Sequence, residues 1–190
     1  RVGSIGGGTN DIHRNTIAGE PVEGTVPVKM DRLENGVRIT RWLIEFDPPP
    51  LFAKAGGFNG KVDRWQIATW TAPATLAFDV GCAAAGTGAP EGDRSQGISI
   101  WSMHLITPET ETTTHYHWSY TRNFALGDEK MTRLLYDGAK ATFMEDVDMI
   151  EAQQRNLGGT SFDGLIDINA DAPPLQMRRM MKDLITAEGA

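Results

Sequence analysis

Apolar and polar residues alternate most clearly between Ile98 and Arg122. From Ile98 onward, every second residue is expected on one face of a strand. That face carries Ile98, Ile100, Ser102, His104 and Ile106. A turn region, Thr107-Pro108-Glu109-Thr110, precedes a second segment rich in β-branched and aromatic residues. The pattern predicts a β-hairpin, whose second strand has His115 and His117 on one face and Tyr116, Trp118 and Tyr120 on the other.

A longer periodic segment follows the hairpin. Asp128 is a good N-cap residue, and Gly158-Gly159 is a typical helix end, so one long helix is predicted between them. Residues at helical spacing form one apolar stripe, made of Leu135, Ala139, Phe143, Val147 and Ile150. Asp146 falls inside this stripe, whereas Glu145 and Asp148 fall on the opposite side.

A carboxylate on a buried helix face is costly unless it is hydrogen-bonded, protonated or bound to a cation. From geometry alone, Asp146 is therefore either satisfied by a strand backbone or an arginine, or it is a candidate metal ligand. His104 is open to two interpretations as well, since a histidine on an apolar strand face is more often a core residue than a ligand. Histidines together with an inward carboxylate are the donors of non-haem iron sites.

Other elements are shorter. Glu34-Asn35-Gly36 is a hairpin-turn signal between two strands in Val26–Glu45. One or two strands are predicted in Arg64–Ala85 with a break at Pro73, and a short helix from Leu175 to about Thr186. Asp47–Gly60 and Ala85–Gly97 are predicted to be connections. An antiparallel sheet of about six to eight strands over the long helix would bury the stripe, which makes the fold α+β.

Composition narrows the function classes. The net charge of −7 argues against nucleic acid or an anionic membrane as the main partner. No apolar run is long enough for a membrane helix. The single cysteine, Cys82, excludes an intrachain disulfide and favours a reducing, cytoplasmic location. It also excludes a Rieske [2Fe–2S] cluster within this chain, because such a cluster needs two cysteines and two histidines.

Several motifs, in order, resemble one enzyme family. They are Pro48-Pro49-Pro50, Val62-Asp63-Arg64-Trp65-Gln66, His104-Leu-Ile-Thr-Pro-Glu-Thr-Glu, Thr114-His115-Tyr116, Arg122-Asn123-Phe124, Glu145-Asp146 and Ile150-Glu151-Ala152-Gln153-Gln154. The set is similar to the catalytic domain of Rieske non-haem iron oxygenases, in the subgroup of vanillate O-demethylase and dicamba monooxygenase. The resemblance implies a helix-grip (START-like) fold with a cavity between sheet and helix.

The resemblance also implies roles for individual residues. Asp146 would be the carboxylate ligand of a mononuclear Fe(II), and His104 would face the substrate, a small aromatic compound that is hydroxylated or O-demethylated. Trp101, Trp118 and Phe78 are candidate wall residues of the cavity. Partners implied are a reductase or ferredoxin that donates electrons and two further copies in a homotrimer.

The chain departs from the family pattern at the two metal histidines. His13, in His13-Arg14-Asn15-Thr16-Ile17, resembles the second of them, but the first would fall on Gly8. A second register, built on Arg1-Val2-Gly3-Ser4-Ile5-Gly6, places Arg1 where a histidine belongs. We therefore expect residues 1–190 to be a single catalytic domain, a fragment lacking an N-terminal Rieske domain and inactive when isolated. Two alternatives remain open: a metal-free domain of the same shape that binds hydrophobic ligands, and a hydrolase or isomerase with Asp146 as general base and His104 as its partner.

Overall fold

The computed structural model describes residues 26–157 and 172–189. Within these residues six strands form one antiparallel sheet in the order β1-β2-β3-β4-β5-β6. The strands are β1 Val28–Leu33, β2 Gly36–Phe46, β3 Val62–Thr71, β4 Thr75–Ala84, β5 Ile98–Pro108 and β6 Thr114–Arg122. The helices are α1 Pro50–Gly56, α2 Glu129–Leu157 and α3 Ala172–Glu188. The predicted α+β class and the long helix after the last hairpin are confirmed.

One face of the sheet, called the inner face below, is the side that carries Phe78, His104 and Trp118. Helix α1 packs there through Phe52, which joins buried side chains from three strands and from the segment after β6. The other buried members are Val62, Cys82, Ile100 and Phe124, with Met131 and Leu135 of α2 at the margin. Helix α3 covers a second cluster through Met180. Because both apolar clusters lie on the inner face, the strands that contribute to them are oriented with those apolar residues toward that face.

The opposite side, called the outer face, is partly covered by the loop 85–97. Trp65 on β3 is buried, and its indole N–H donates to Asp79 Oδ1 at 2.7 Å. Arg94 from the loop pairs with Asp79 Oδ2 at 2.6 Å and lies over the Trp65 ring at 5.2 Å. Ala89 is fully buried in the same cluster. This loop, predicted to be a connection, therefore contributes one apolar residue and one arginine to the outer face.

Helix α2 begins as predicted, because Asp128 accepts hydrogen bonds from the backbone N–H groups of Lys130 and Met131 at 2.9 and 3.1 Å. Its predicted stripe is buried at Ala139 and Phe143, but Ile150 is 48% exposed, contrary to expectation. The helix has 29 residues and β6 has 9. At about 1.5 Å per helical and 3.3 Å per strand residue, the helix is about 14 Å longer than β6. Its last turns therefore extend beyond the strand.

One predicted connection contains a short helix. The connection predicted over Asp47–Gly60 contains α1, whose first turn is built on Pro50. Proline is tolerated there because the first helical N–H groups have no partner within the helix. Within the described ranges, none of the helices combines the length and the apolar character needed to cross a bilayer.

Candidate functional site

An aromatic cluster surrounds His104 on the inner face. The register of the strands places His104 opposite Trp118, and Ser102 opposite both Phe78 and Tyr120. Because side chains alternate along each strand, these residues share one side of the sheet. Phe143 from α2 closes the cluster with ring centroids 5.2–5.7 Å from His104, Tyr116 and Trp118.

His104 is 3% exposed and is held from all sides. The edges of Phe78 and Phe143 meet its ring at 5.2 and 5.4 Å, and Tyr116 stacks on it at 5.8 Å. Its Nε2 is 3.0 Å from Ser102 Oγ, and its Nδ1 is 2.5 Å from Tyr116 Oη. Burial lowers the pKa of His104 to about 4, so the imidazole is neutral at physiological pH.

Asp146 lies on the same side of α2 as Phe143, one turn further along the helix. Its side chain is half-buried, whereas Glu145 and Asp148 are exposed, as the helical periodicity predicts. Burial, then the neighbouring Tyr120 and then the charge of Asp146 raise the pKa of Tyr116. Asp146 therefore acts electrostatically on the residue that is bonded to His104.

A groove of about 470 Å³ runs between β6 and α2. Its aromatic walls include Tyr116, Trp118, Tyr120 and Tyr136. Arg122 forms part of one end, where its guanidinium donates to the backbone carbonyls of Phe124, Ala125 and Asp128 and so ties β6 to the start of α2. The groove is thus lined by a mixture of aromatic and polar side chains, a lining that can take an aromatic ligand with polar substituents.

The structure brings together four of the predicted site residues, His104, Asp146, Phe78 and Trp118. Trp101 is on the outer face and 49% exposed, so the expectation that it lines the cavity is corrected. The reason is its odd position on β5, which directs it away from Ser102 and His104. His13 lies outside the described residues.

The described part of the chain holds no group of three histidine, cysteine, aspartate or glutamate side chains arranged to bind a metal. Asp146 is the predicted iron ligand within it. Cys82 is buried on the inner face, and burial raises the pKa of its thiol to about 12. The thiol is therefore protonated, a form that does not favour metal binding.

The sequence analysis does not predict the contact of Tyr116 with His104. The alternation of β6 places Tyr116 with Trp118 and Tyr120, but it does not say which face of β5 they join. The register of the hairpin would identify this contact. Pro108 pairs with Thr114, and therefore Ile106 pairs with Tyr116. From that pairing, Tyr116 is a diagonal neighbour of His104 on the inner face.

Comparisons with known proteins agree with the motifs. Residues 12–187 match the model of the vanillate O-demethylase oxygenase C-terminal domain. The toluene-4-sulfonate monooxygenase system iron-sulfur subunit of Comamonas testosteroni is 39% identical over 180 residues, which are 93% of this chain and 52% of that protein. The vanillate O-demethylase oxygenase subunit of a Pseudomonas species is 33% identical over 187 residues, 94% of this chain and 56% of that protein.

A solved structure shares the fold. The crystal structure of dicamba monooxygenase bound to 3,6-dichlorosalicylic acid superposes with a TM-score of 0.80 at 23% identity, covering 96% of this chain and 56% of that one. The chain therefore spans about half the length of the curated relatives it matches. The resemblance and the fold predicted from the sequence are both confirmed. The chain belongs to the vanillate O-demethylase oxygenase C-terminal domain family.

Proposed function

We propose that this chain is the catalytic domain of a Rieske-type oxygenase, which hydroxylates or O-demethylates a small aromatic compound with dioxygen. The observation that carries the proposal is the position of Asp146. This carboxylate lies one helical turn from Phe143, on the side of α2 that faces an aromatic-lined interior. Relatives of the chain are oxygenase components that, by their names, act on vanillate and toluene-4-sulfonate.

Asp146 would supply the carboxylate of a facial site with two histidines and one carboxylate. His13 is the proposed histidine ligand from this chain, and it lies outside the described residues. A carboxylate on an otherwise apolar face fits the chemistry of that donor set, since a bound cation offsets the cost of burying its charge. When bound, Fe(II) in such a site supplies open positions at which dioxygen is activated.

The described residues have roles of their own. Phe78, Trp118 and Phe143 would enclose the aromatic ring of the substrate and exclude water from it. His104 is buried and neutral, so it contributes hydrogen-bonding groups without a charge. The groove beside β6 would be the entrance through which the substrate reaches the aromatic interior.

Electrons would come from outside the 190 residues. The chain has one cysteine and cannot assemble a Rieske cluster by itself. We propose that a [2Fe–2S] cluster resides on a preceding domain and that a reductase or ferredoxin supplies it. A homotrimer in the cytoplasm is proposed for the assembled enzyme. The 190-residue chain alone is expected to show no turnover.

The first test replaces Asp146 in the protein that carries its native upstream sequence. Asp146→Asn keeps the size of the side chain but removes the charge that would hold Fe(II). We expect loss of most bound iron, measured by inductively coupled plasma mass spectrometry, and loss of aromatic hydroxylation or demethylation. The far-UV circular dichroism spectrum should not change.

Glu145→Gln is the matched control, since Glu145 is the adjacent acidic residue and is exposed. It should keep wild-type iron and activity. Equal iron in the wild type and in Asp146→Asn would contradict the assignment of Asp146. An iron-free wild-type protein that still binds aromatic compounds would favour a metal-free ligand-binding domain instead.

A further inference from the structure

Two histidines on the outer face of the hairpin β5–β6 lie outside the candidate functional site. His115 and His117 are two residues apart on β6, so both side chains point away from the aromatic cluster. Both are exposed, and their rings stack with centroids 6.2 Å apart and planes 23° from parallel. Their cross-strand partners on β5 are Thr107 and Leu105, which carry no charge. The pair is therefore accessible to a ligand from solvent.

A carboxylate lies beside this pair. Glu109 Oε1 is 3.4 Å from His115 Nε2. This separation is longer than an ordinary N–H···O hydrogen bond, which spans about 2.7–3.2 Å. It matches the distance of about 3.3 Å between two ligand atoms on one tetrahedral metal, given metal–ligand bonds of about 2.0–2.1 Å. The two atoms are thus spaced as neighbouring ligands of a metal ion.

The turn between β5 and β6 holds Glu109 in this position. Its other carboxylate oxygen, Oε2, accepts a hydrogen bond from Thr113 Oγ1 at 2.9 Å. The backbone closes the same turn, because the N–H of Glu109 donates to the carbonyl of Thr113 at 3.0 Å. Hydrogen-bond partners that orient a ligating side chain strengthen metal sites in general. The carboxylate of Glu109 is therefore directed toward His115 before any ion binds.

His117 needs a small movement to join the other two side chains. Two imidazoles on one tetrahedral metal have ring centres about 5 Å apart when the metal–nitrogen bonds are about 2.0–2.1 Å long. The rings are 6.2 Å apart, so they must approach by about 1 Å. Exposed side chains change rotamer within nanoseconds, which makes this approach easy. Without it the donors do not converge, in agreement with the lack of a preformed three-donor group in the described part of the chain.

We propose that His115, His117 and Glu109 bind one divalent transition-metal ion of the class of Zn²⁺, Ni²⁺ or Cu²⁺, with water completing its coordination. Imidazole nitrogen suits these ions, and such donors generally bind Fe²⁺ more weakly. The site is separate from the proposed iron site, because it lies on the opposite face of the sheet from His104 and the aromatic cluster. It does not depend on the proposed function.

The test titrates ZnCl₂ into purified, untagged, iron-loaded protein with its native upstream sequence, and isothermal titration calorimetry measures the binding. His115→Gln and His117→Gln should each weaken zinc binding at this site at least about tenfold, since losing even a residue that only orients a ligand costs about 10–100-fold in affinity. Glu109→Gln should weaken it less, because the amide oxygen remains a neutral donor.

Glu111→Gln is the matched control, since Glu111 is an exposed carboxylate of the same turn. This variant should bind zinc as the wild type does. Crystals of the wild type soaked in ZnCl₂ should show an anomalous scattering peak between the three proposed ligands. Circular dichroism establishes that each variant is folded, which is expected because all four side chains are exposed.

Two results would overturn the proposal. One is zinc binding by His117→Gln that equals that of the wild type, in affinity and in the number of ions bound. The other is an equal loss of affinity in Glu111→Gln, which would mean that the acidic turn attracts cations without chelating one. Iron content and turnover are measured on the same samples, so a failure of the oxygenase proposal appears as iron-free, inactive wild type, independently of the zinc result.

Discussion

The hairpin β5–β6 carries three histidines in two different environments. His104 on the inner face is 3% exposed, bonded through both ring nitrogens and surrounded by aromatic rings. His115 and His117 on the outer face are exposed, with their rings stacked 6.2 Å apart. The three residues differ in strand position and face, not in chemistry. The face of the strand, rather than the residue type, therefore decides which histidine is a candidate site residue.

Helix α2 produces this difference, and Phe143 is its main contact with the cluster. Its ring is 4% exposed and meets the rings of His104, Tyr116, Trp118 and Tyr120 at 5.2–6.2 Å. Phe143→Ala should therefore destabilise the protein by about 3–5 kcal/mol, the usual loss for a buried phenylalanine. Urea denaturation followed by circular dichroism measures the effect.

Met144→Ala is the matched control, since the next residue along the helix is 51% exposed. Its effect should stay within about 0.5 kcal/mol. If the two variants lost similar stability, the inner face would not owe its burial to Phe143. Contact with Phe143 would then not explain why the inner face of the hairpin is buried and the outer face is exposed.

The second prediction compares the histidines by their pH dependence. Burial lowers the pKa of His104 to about 4, from an ordinary value of 6.5 in the unfolded chain. The unfolded state then binds more protons than the folded state between these values. Stability from this group is fully present above pH 6.5 and is lost as the pH falls toward 4. The gap in pKa corresponds to about 3 kcal/mol.

His104→Gln should remove most of this acid sensitivity in urea titrations at pH 7, 6 and 5. His117→Gln, an exposed substitution on the outer face, is run in parallel as the matched histidine control. An equal acid loss in His104→Gln and the wild type would show that His104 is not kept neutral by burial. Both variants are also compared at pH 7, because His104→Gln removes the packing of a ring as well.

The same comparison shows how far the sequence predicts the site. Alternation along β5 correctly placed Ile100, Ser102 and His104 together, and it also placed Trp101 on the other face. The same alternation is sufficient to exclude Trp101 from the cavity, although the sequence analysis names it as a wall residue.

Other features could not be predicted from local patterns. The bond between His104 and Tyr116 depends on the register of β5 against β6, which is set by the geometry of the turn around Glu109. Asp146 could be placed on the inner side of α2 from its helical period, but its influence on Tyr116 requires the helix to cross the sheet at a particular height. The position of α2 along the sheet is determined by tertiary packing and cannot be predicted from a local sequence pattern.

The smallest expected effect concerns the outer face. His115 Nε2 lies 3.4 Å from Glu109 Oε1, and both side chains are more than half exposed. Exposed ion pairs contribute little, because water and salt screen the charges and two long side chains must be ordered. Glu109 Oε2 also accepts a bond from Thr113 Oγ1 at 2.9 Å, and a glutamine can keep this bond through its amide oxygen.

Glu109→Gln therefore removes the charge and little else, and stability should change by less than about 0.5 kcal/mol at pH 6. The measurement is a urea titration at low and at high salt, with wild-type protein run in parallel. A loss above about 1 kcal/mol that persists at high salt would mean that the pair is shielded from solvent in the protein as purified. The outer end of the hairpin would then be covered, and its histidines would resemble His104 more closely than the exposure of this face indicates.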